Sequence, residues 1–332
     1  MGVRKSETRI PQDFSASDLG QAVVAADGRC ALVSFIVTPL AIHRDNTYVV
    51  FVTDSSLAAQ TQNFEWTFTE DEETPEVQTT TMGEIIFQPS VIGRLSVRVR
   101  LLGAGDAEQG TLVLVQDITA LNPTVEELIS NATNDSGPGL GNTEVAREMA
   151  NDHNPYYKAI TLQTPEPGDG FSQFVFSAVY DGALARTPVQ RKTLLDQMAA
   201  AINEGQGDFA SLAAPGLGVS AVRLALLAMV MPLSGAAKWI SWRELPESAN
   251  ERAYADEVLR NDLAALEENK RIDLFNLVRF PKTNIRMCAR IIEVLRDRYF
   301  GGTNFSDVLT GMSGTRAQWI SRHYTEGPIL HT

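Results

Sequence analysis

The chain has 332 residues, 44% hydrophobic and 21% charged, which is the make-up of an ordinary globular protein with room for about two domains. Its net charge of −13 is uneven: residues 1–130 hold eight Lys/Arg against eighteen Asp/Glu, and the remainder twenty against twenty-three. An acidic first part argues against non-specific binding of nucleic acid or an anionic membrane there, and Cys30 and Cys288 alone are too few for a disulfide framework, which suits a reducing or cysteine-indifferent compartment.

Residues 1–20 read as an N-terminal extension. MGVRKSETRI carries charge with no apolar run behind it, so no conventional secretory signal is expected, and the chain is expected to be cytoplasmic as synthesised, with export by a signal-independent route compatible. Met1, Gly2 and Ser6 fit the N-myristoylation pattern, which is permissive enough to arise by chance.

From residue 21 to about 120, short runs rich in β-branched and aromatic residues alternate with polar turn clusters, which predicts an antiparallel two-sheet sandwich. Strands are expected over 31–37, 48–53, 64–69, 84–88, 95–101 and 111–117. The fifth is clearest: Leu95, Val97, Val99 and Leu101 alternate with Ser96, Arg98 and Arg100, so one face is buried and the other solvated.

The segment FEWTFTEDEE, with Trp66 and Phe68 on one face, and the later VIGRLSVRVRLLGAGDAEQGTLVLVQDI resemble the middle and end of a PKD-type or other immunoglobulin-like domain. The resemblance implies an inward tryptophan on a central strand, packed beneath a later strand that follows a glycine, here Gly93. It departs from the family's pattern at Thr69, Glu70 and Asp71, and no cysteine pair flanks the tryptophan. Domains of this kind imply binding or spacing, with function carried by loops.

The acidic loop EDEETPE, holding Glu70, Asp71, Glu72, Glu73 and Glu76, is the candidate binding loop. Clustered carboxylates can hold calcium, but the alternation and glycine of a calcium loop are missing, so a solvated charge run is the plainer reading and no metal is expected.

Residues 121–143 are read as a linker, rich in Asn, Ser, Gly and Pro from Asn131, whose glycines lack phosphate-loop spacing. Residues 144–332 are expected to form a mainly α-helical domain. Thr187, Pro188 and Gln190 fit a capping-box start, Leu194, Leu195, Met198 and Ile202 form a stripe, and Gly205 is the stop. A second helix is expected from Pro246 to about Glu268, with Tyr254, Val258, Leu259, Leu263 and Leu266 inward. A third runs from Pro281 to Gly301 and Gly302, with Ile285, Cys288, Ile292, Leu295 and Tyr299 at helical spacing. Cys288 lies in that stripe and reads as a small core group. Residues Leu224 to Met231 are unbroken apolar, too short to span a bilayer, and predict a buried helix ending at Pro232.

The four histidines do not pair at metal-ligand spacing. Glu204 at a helix end, with Asp208 following, matches in outline the carboxylate pair of a lysozyme-like glycoside hydrolase, although a glutamate before a capping glycine is common for structural reasons. Between Lys270 and Arg298 eight basic residues face three acidic ones. Lys282, Arg286 and Arg290, at i, i+4 and i+8, form a cationic ridge that either pairs with nearby acids or docks an acidic protein. No cofactor, nucleic acid or stable membrane span is expected. The leading expectation is a non-catalytic binding or assembly protein acting through a protein partner or larger assembly, such as a bacterial secretion or contractile injection apparatus; a glycan hydrolase and a membrane-active toxin are the alternatives.

Overall fold

A computed structural model of the chain describes residues 2–36, 40–71, 73–120, 171, 174–175, 178–179, 182, 186, 188–213, 215–242, 249–301, 303–304, 307–308 and 315–326. The expected linker, Glu72, the cap residue Thr187 and the side chain of Tyr254 lie outside them. Packing divides the chain into two units, Met1–Asn122 with Phe280–Lys282, and Pro123–Arg279 with Thr283–Thr332.

The first unit is built of strands. A short helix α1 (Ala16–Leu19) precedes β1 (Gln21–Val24), β2 (Cys30–Ser34), β3 (Leu40–Ala41) and β4 (Asn46–Val52); after helix α2 (Ser55–Gln60) come β5 (Asn63–Glu70), β6 (Glu76–Thr80), β7 (Glu84–Phe87), β8 (Gly93–Leu102) and β9 (Glu108–Thr119). They form a four-stranded sheet in the order β1-β2-β4-β7 and a five-stranded sheet in the order β3-β9-β8-β5-β6, with only β3 and β9 parallel. All six expected strands are present, and β1, β3 and β6 add to them. Glu76, read as part of the acidic loop, opens β6.

One apolar core draws on both sheets: Leu32, Tyr48, Val50 and Phe87 from the first, Trp66, Phe68, Leu95, Val97, Val99 and Leu112 from the second. The alternation expected along β8 holds, with Leu95, Val97, Val99 and Leu101 fully buried. Trp66 is fully buried, pairs in register with Val99 of β8, and donates its indole N–H to Thr80 Oγ1 at 2.9 Å. Polar side chains also join the sheets. Tyr48 Oη donates to Gln116 Oε1 at 2.7 Å, and Gln116 Nε2 donates to Ser34 Oγ at 2.9 Å and Gln21 Oε1 at 3.0 Å. Asn46 Nδ2 donates to the same Ser34 oxygen at 2.7 Å. Buried polar groups must be paired in this way to avoid a desolvation cost.

Residues 2–20 are an integral part of this unit. Glu7, fully buried, accepts from Arg4 Nε at 2.7 Å, from the Arg4 backbone N–H at 3.2 Å and from the Gly83 N–H at 3.2 Å, while Arg4 Nη2 reaches Glu84 at 2.6 Å. Burial works against the Arg4 charge, but Glu7 and Glu84 more than offset it and hold the guanidinium above its ordinary range. Ala16 and Leu19 pack with Val33, Val49, Phe51 and Phe280 in a second cluster.

The second unit is helical: α3 (Pro188–Asn203), α4 (Leu224–Val230), α5 (Ala249–Ala264), α6 (Glu268–Arg279), α7 (Pro281–Phe300, whose first two residues count with the first unit) and α8 (Thr315–Glu326). Helix α3 starts at Pro188 and is followed by Gly205 at φ +66°, the left-handed stop the sequence signals. All seven residues of α4 are buried, as the apolar run requires. The helix expected to reach Glu268 instead ends at Ala264. Arg271, in the first turn of α6, donates to the carbonyls of Leu266 at 2.8 Å and of Ala264, so the orphan carbonyls of α5 gain a cationic partner where the helix would otherwise continue. Among the described residues no helix is long and apolar enough to cross a membrane.

Candidate functional site

The carboxylates of the acidic loop are engaged by backbone. Glu70, last residue of β5, accepts from the N–H groups of Ser90 at 2.8 Å and Val91 at 2.7 Å and from Ser90 Oγ at 3.3 Å. Asp71, at φ +42°, accepts from the Arg94 N–H at 2.9 Å and donates its own N–H to the Arg94 carbonyl at 2.7 Å. Glu73 is exposed and donates its N–H to the Glu70 carbonyl at 2.8 Å, closing the turn. The loop therefore fastens the β5–β6 turn to the β7–β8 connection, and among the described residues no group of three His, Cys, Asp or Glu could hold a metal ion.

Glu204 and Asp208 are both exposed. Asp208 Oδ1 accepts from the Ala210 N–H at 2.9 Å, and its carbonyl accepts from Ser211 Oγ at 2.6 Å, the geometry of a helix N-cap for the 3-10 turn Phe209–Ala213. The burial that makes a carboxylic acid a proton donor at neutral pH is not supplied at Glu204.

The three residues of the cationic ridge have different surroundings. Lys282 Nζ donates to the Ser17 carbonyl at 2.6 Å, Arg286 is half-buried, and Arg290 Nη1 pairs with Glu293 at 2.5 Å. Cys288 is fully buried, and desolvation pushes its thiol up to about 12, outweighing hydrogen bonds with Tyr324 and Ser220. Burial of this kind disfavours the thiolate form that a nucleophilic cysteine needs.

The arrangement that does present chemistry to solvent is the outer face of the five-stranded sheet, which sequence reading passed over. Strand register aligns Val77 (β6), Thr67 (β5), Arg98 (β8) and Val113 (β9) in one cross-strand row. Val77 is 58% and Val113 44% exposed, and Arg98 is exposed between them. The adjoining row holds Thr79, Glu65, Arg100 and Thr111. There Arg100 is bound by Glu65 and Glu108, each at 2.8 Å. No carboxylate of a described residue lies within ion-pair distance of Arg98; it acts on Glu108 only as the weakest of the influences that lower that carboxyl, behind the hydrogen bonds from Thr111 and Arg100. The only sequence signal was the outward Arg98 of an alternating strand. Its neighbours in space come from three other strands.

No family model matches the chain, and no curated protein matches it.

Proposed function

We propose that the chain is a non-catalytic binding or assembly protein whose strand-rich unit, an immunoglobulin-like sandwich, docks on a protein partner. The observation that carries this reading is at the sheet edges. Strands β6 and β7 each end a sheet, and each leaves a large aliphatic side chain in water, Val77 at 58% and Ile86 at 47% exposure. Open edge strands with exposed apolar residues favour association with another chain. The immunoglobulin-like assignment is supported by strand order: such domains keep strands B and E in one sheet and G, F, C and C′ in the other, with a buried tryptophan on C. Here β4 and β7 are neighbours, β9-β8-β5-β6 run consecutively, and Trp66 is on β5. In its narrower form the proposal makes the partner a bacterial secretion or contractile injection apparatus, by analogy of architecture alone.

Native size-resolved purification from the source cells, with mass spectrometry of what co-migrates, tests this function. Migration within a large defined particle is the expected result. Migration alone at the mass of a monomer overturns it.

A further inference from the structure

Resting on that docking role, we infer that the outer face of the five-stranded sheet, centred on Arg98, recognises a protein segment that presents a carboxylate between aliphatic side chains. Three observations lead there. Arg98 is exposed and meets no carboxylate among the described residues, whereas Arg100, one row away, is clamped by Glu65 and Glu108. An exposed guanidinium with no carboxylate of a described residue within ion-pair distance is open to a carboxylate from outside, which its planar fork grips through two parallel N–H bonds. Exposed aliphatic side chains lie on both sides of it in the row: Val113 is the direct cross-strand partner of Arg98, and Val77 stands one strand farther out, beyond Thr67. Aliphatic walls that lose water on contact lower the local dielectric around an ion pair and strengthen it. An arginine beside aliphatic groups that lose water on contact is also the composition of an interface hot spot.

Charge complementarity fixes the class of occupant. An aliphatic segment alone would bury the Arg98 charge unpaired, which is costly, and a basic segment would be repelled. An acidic-aliphatic segment satisfies both parts of the row.

Short random peptides displayed on phage, panned on the full-length chain, test the inference. The selected pool is expected to be enriched in Asp or Glu flanked by Val, Leu or Ile. Arg98→Glu should weaken binding of the selected peptides by roughly tenfold or more, and Arg98→Lys by less, since the charge remains and the fork is lost. Arg29→Glu, an exposed change away from this face, should leave binding unchanged, and circular dichroism of each variant shows that it folds. A pool without acidic enrichment, no enrichment at all, or peptides that bind Arg98→Glu as well as wild type would overturn the inference. So would a chain that self-associates in sedimentation and becomes monomeric on Arg98→Glu, because the occupant would then be a second copy. Peptide selection read through the Arg98 variants reports on this face and native purification reports on the assembly, so either can fail without the other.

Discussion

Gly93 has no room for a side chain. A Cβ at this position, where φ is +139°, would fall 1.9 Å from Asp71 Oδ2, so any other residue must dislodge the carboxylate that holds the Arg94 N–H. Gly93→Ala should therefore cost about 2 kcal/mol or more, read as a lower urea midpoint with an unchanged m-value. Buried ionisable groups set the alkaline limit. Burial raises the phenols of Tyr48 and Tyr324 and the thiols of Cys30 and Cys288, the last to about 12. Each is held neutral in the fold, while in the unfolded chain the thiols ionise from about pH 8.5 and the phenols from about pH 10. The unfolded state thus binds fewer protons above those values, and stability falls as pH rises. Urea titrations at neutral pH and near pH 10.5 should show this loss, and Cys288→Ala should make it shallower; a stability that stays flat across this range would contradict the burial of these groups.

Elements differ in how clearly the sequence announces them, and the reason is which side of the element is buried. Strand β8 alternates because one face meets the core and the other meets water, and α4 is apolar all round because all of it is buried. Strand β6 has no such mark: its inward residues include Glu76 and Gln78, and it is held by main-chain pairing with β5, which any sequence can supply. Helix α6 was hidden for the opposite reason. Its residues Ile272 to Arg279 are buried without a break, Asp273, Asn276 and Arg279 among them, so no apolar stripe stands out. The Arg98 row could not be read because it depends on the register of four strands, whereas the linear spacing of Lys282, Arg286 and Arg290 was visible and their partners were not. Helix α2 was missed too, and its start rests on Asp54, whose Oδ1 accepts from the Leu57 N–H at 2.7 Å. Asp54→Ala should cost about 1 kcal/mol, with the loss seen in thermal unfolding; an unchanged melting temperature would mean the cap contributes nothing.

Across the molecule the acidity sits in the strand-rich part, and the face proposed for docking sets a cation within it. The surrounding negative charge repels an acidic partner at long range while Arg98 selects it at short range, so raised salt should slow association less than Arg98→Glu does. The exposed edge of β6 has a further consequence for handling the protein. Glu73 and Glu76 stand beside main-chain groups that no described strand pairs on that side, and negative charge there discourages a second copy of this acidic chain, as opposed to a differently charged partner, from adding to the sheet. As pH falls towards the isoelectric point of about 4.8, the overall repulsion between copies fades. Concentrated stocks should turn turbid in that range before the fold itself melts, and Glu76→Gln should bring turbidity at a higher pH, so the purified protein keeps best in buffers well above its isoelectric point.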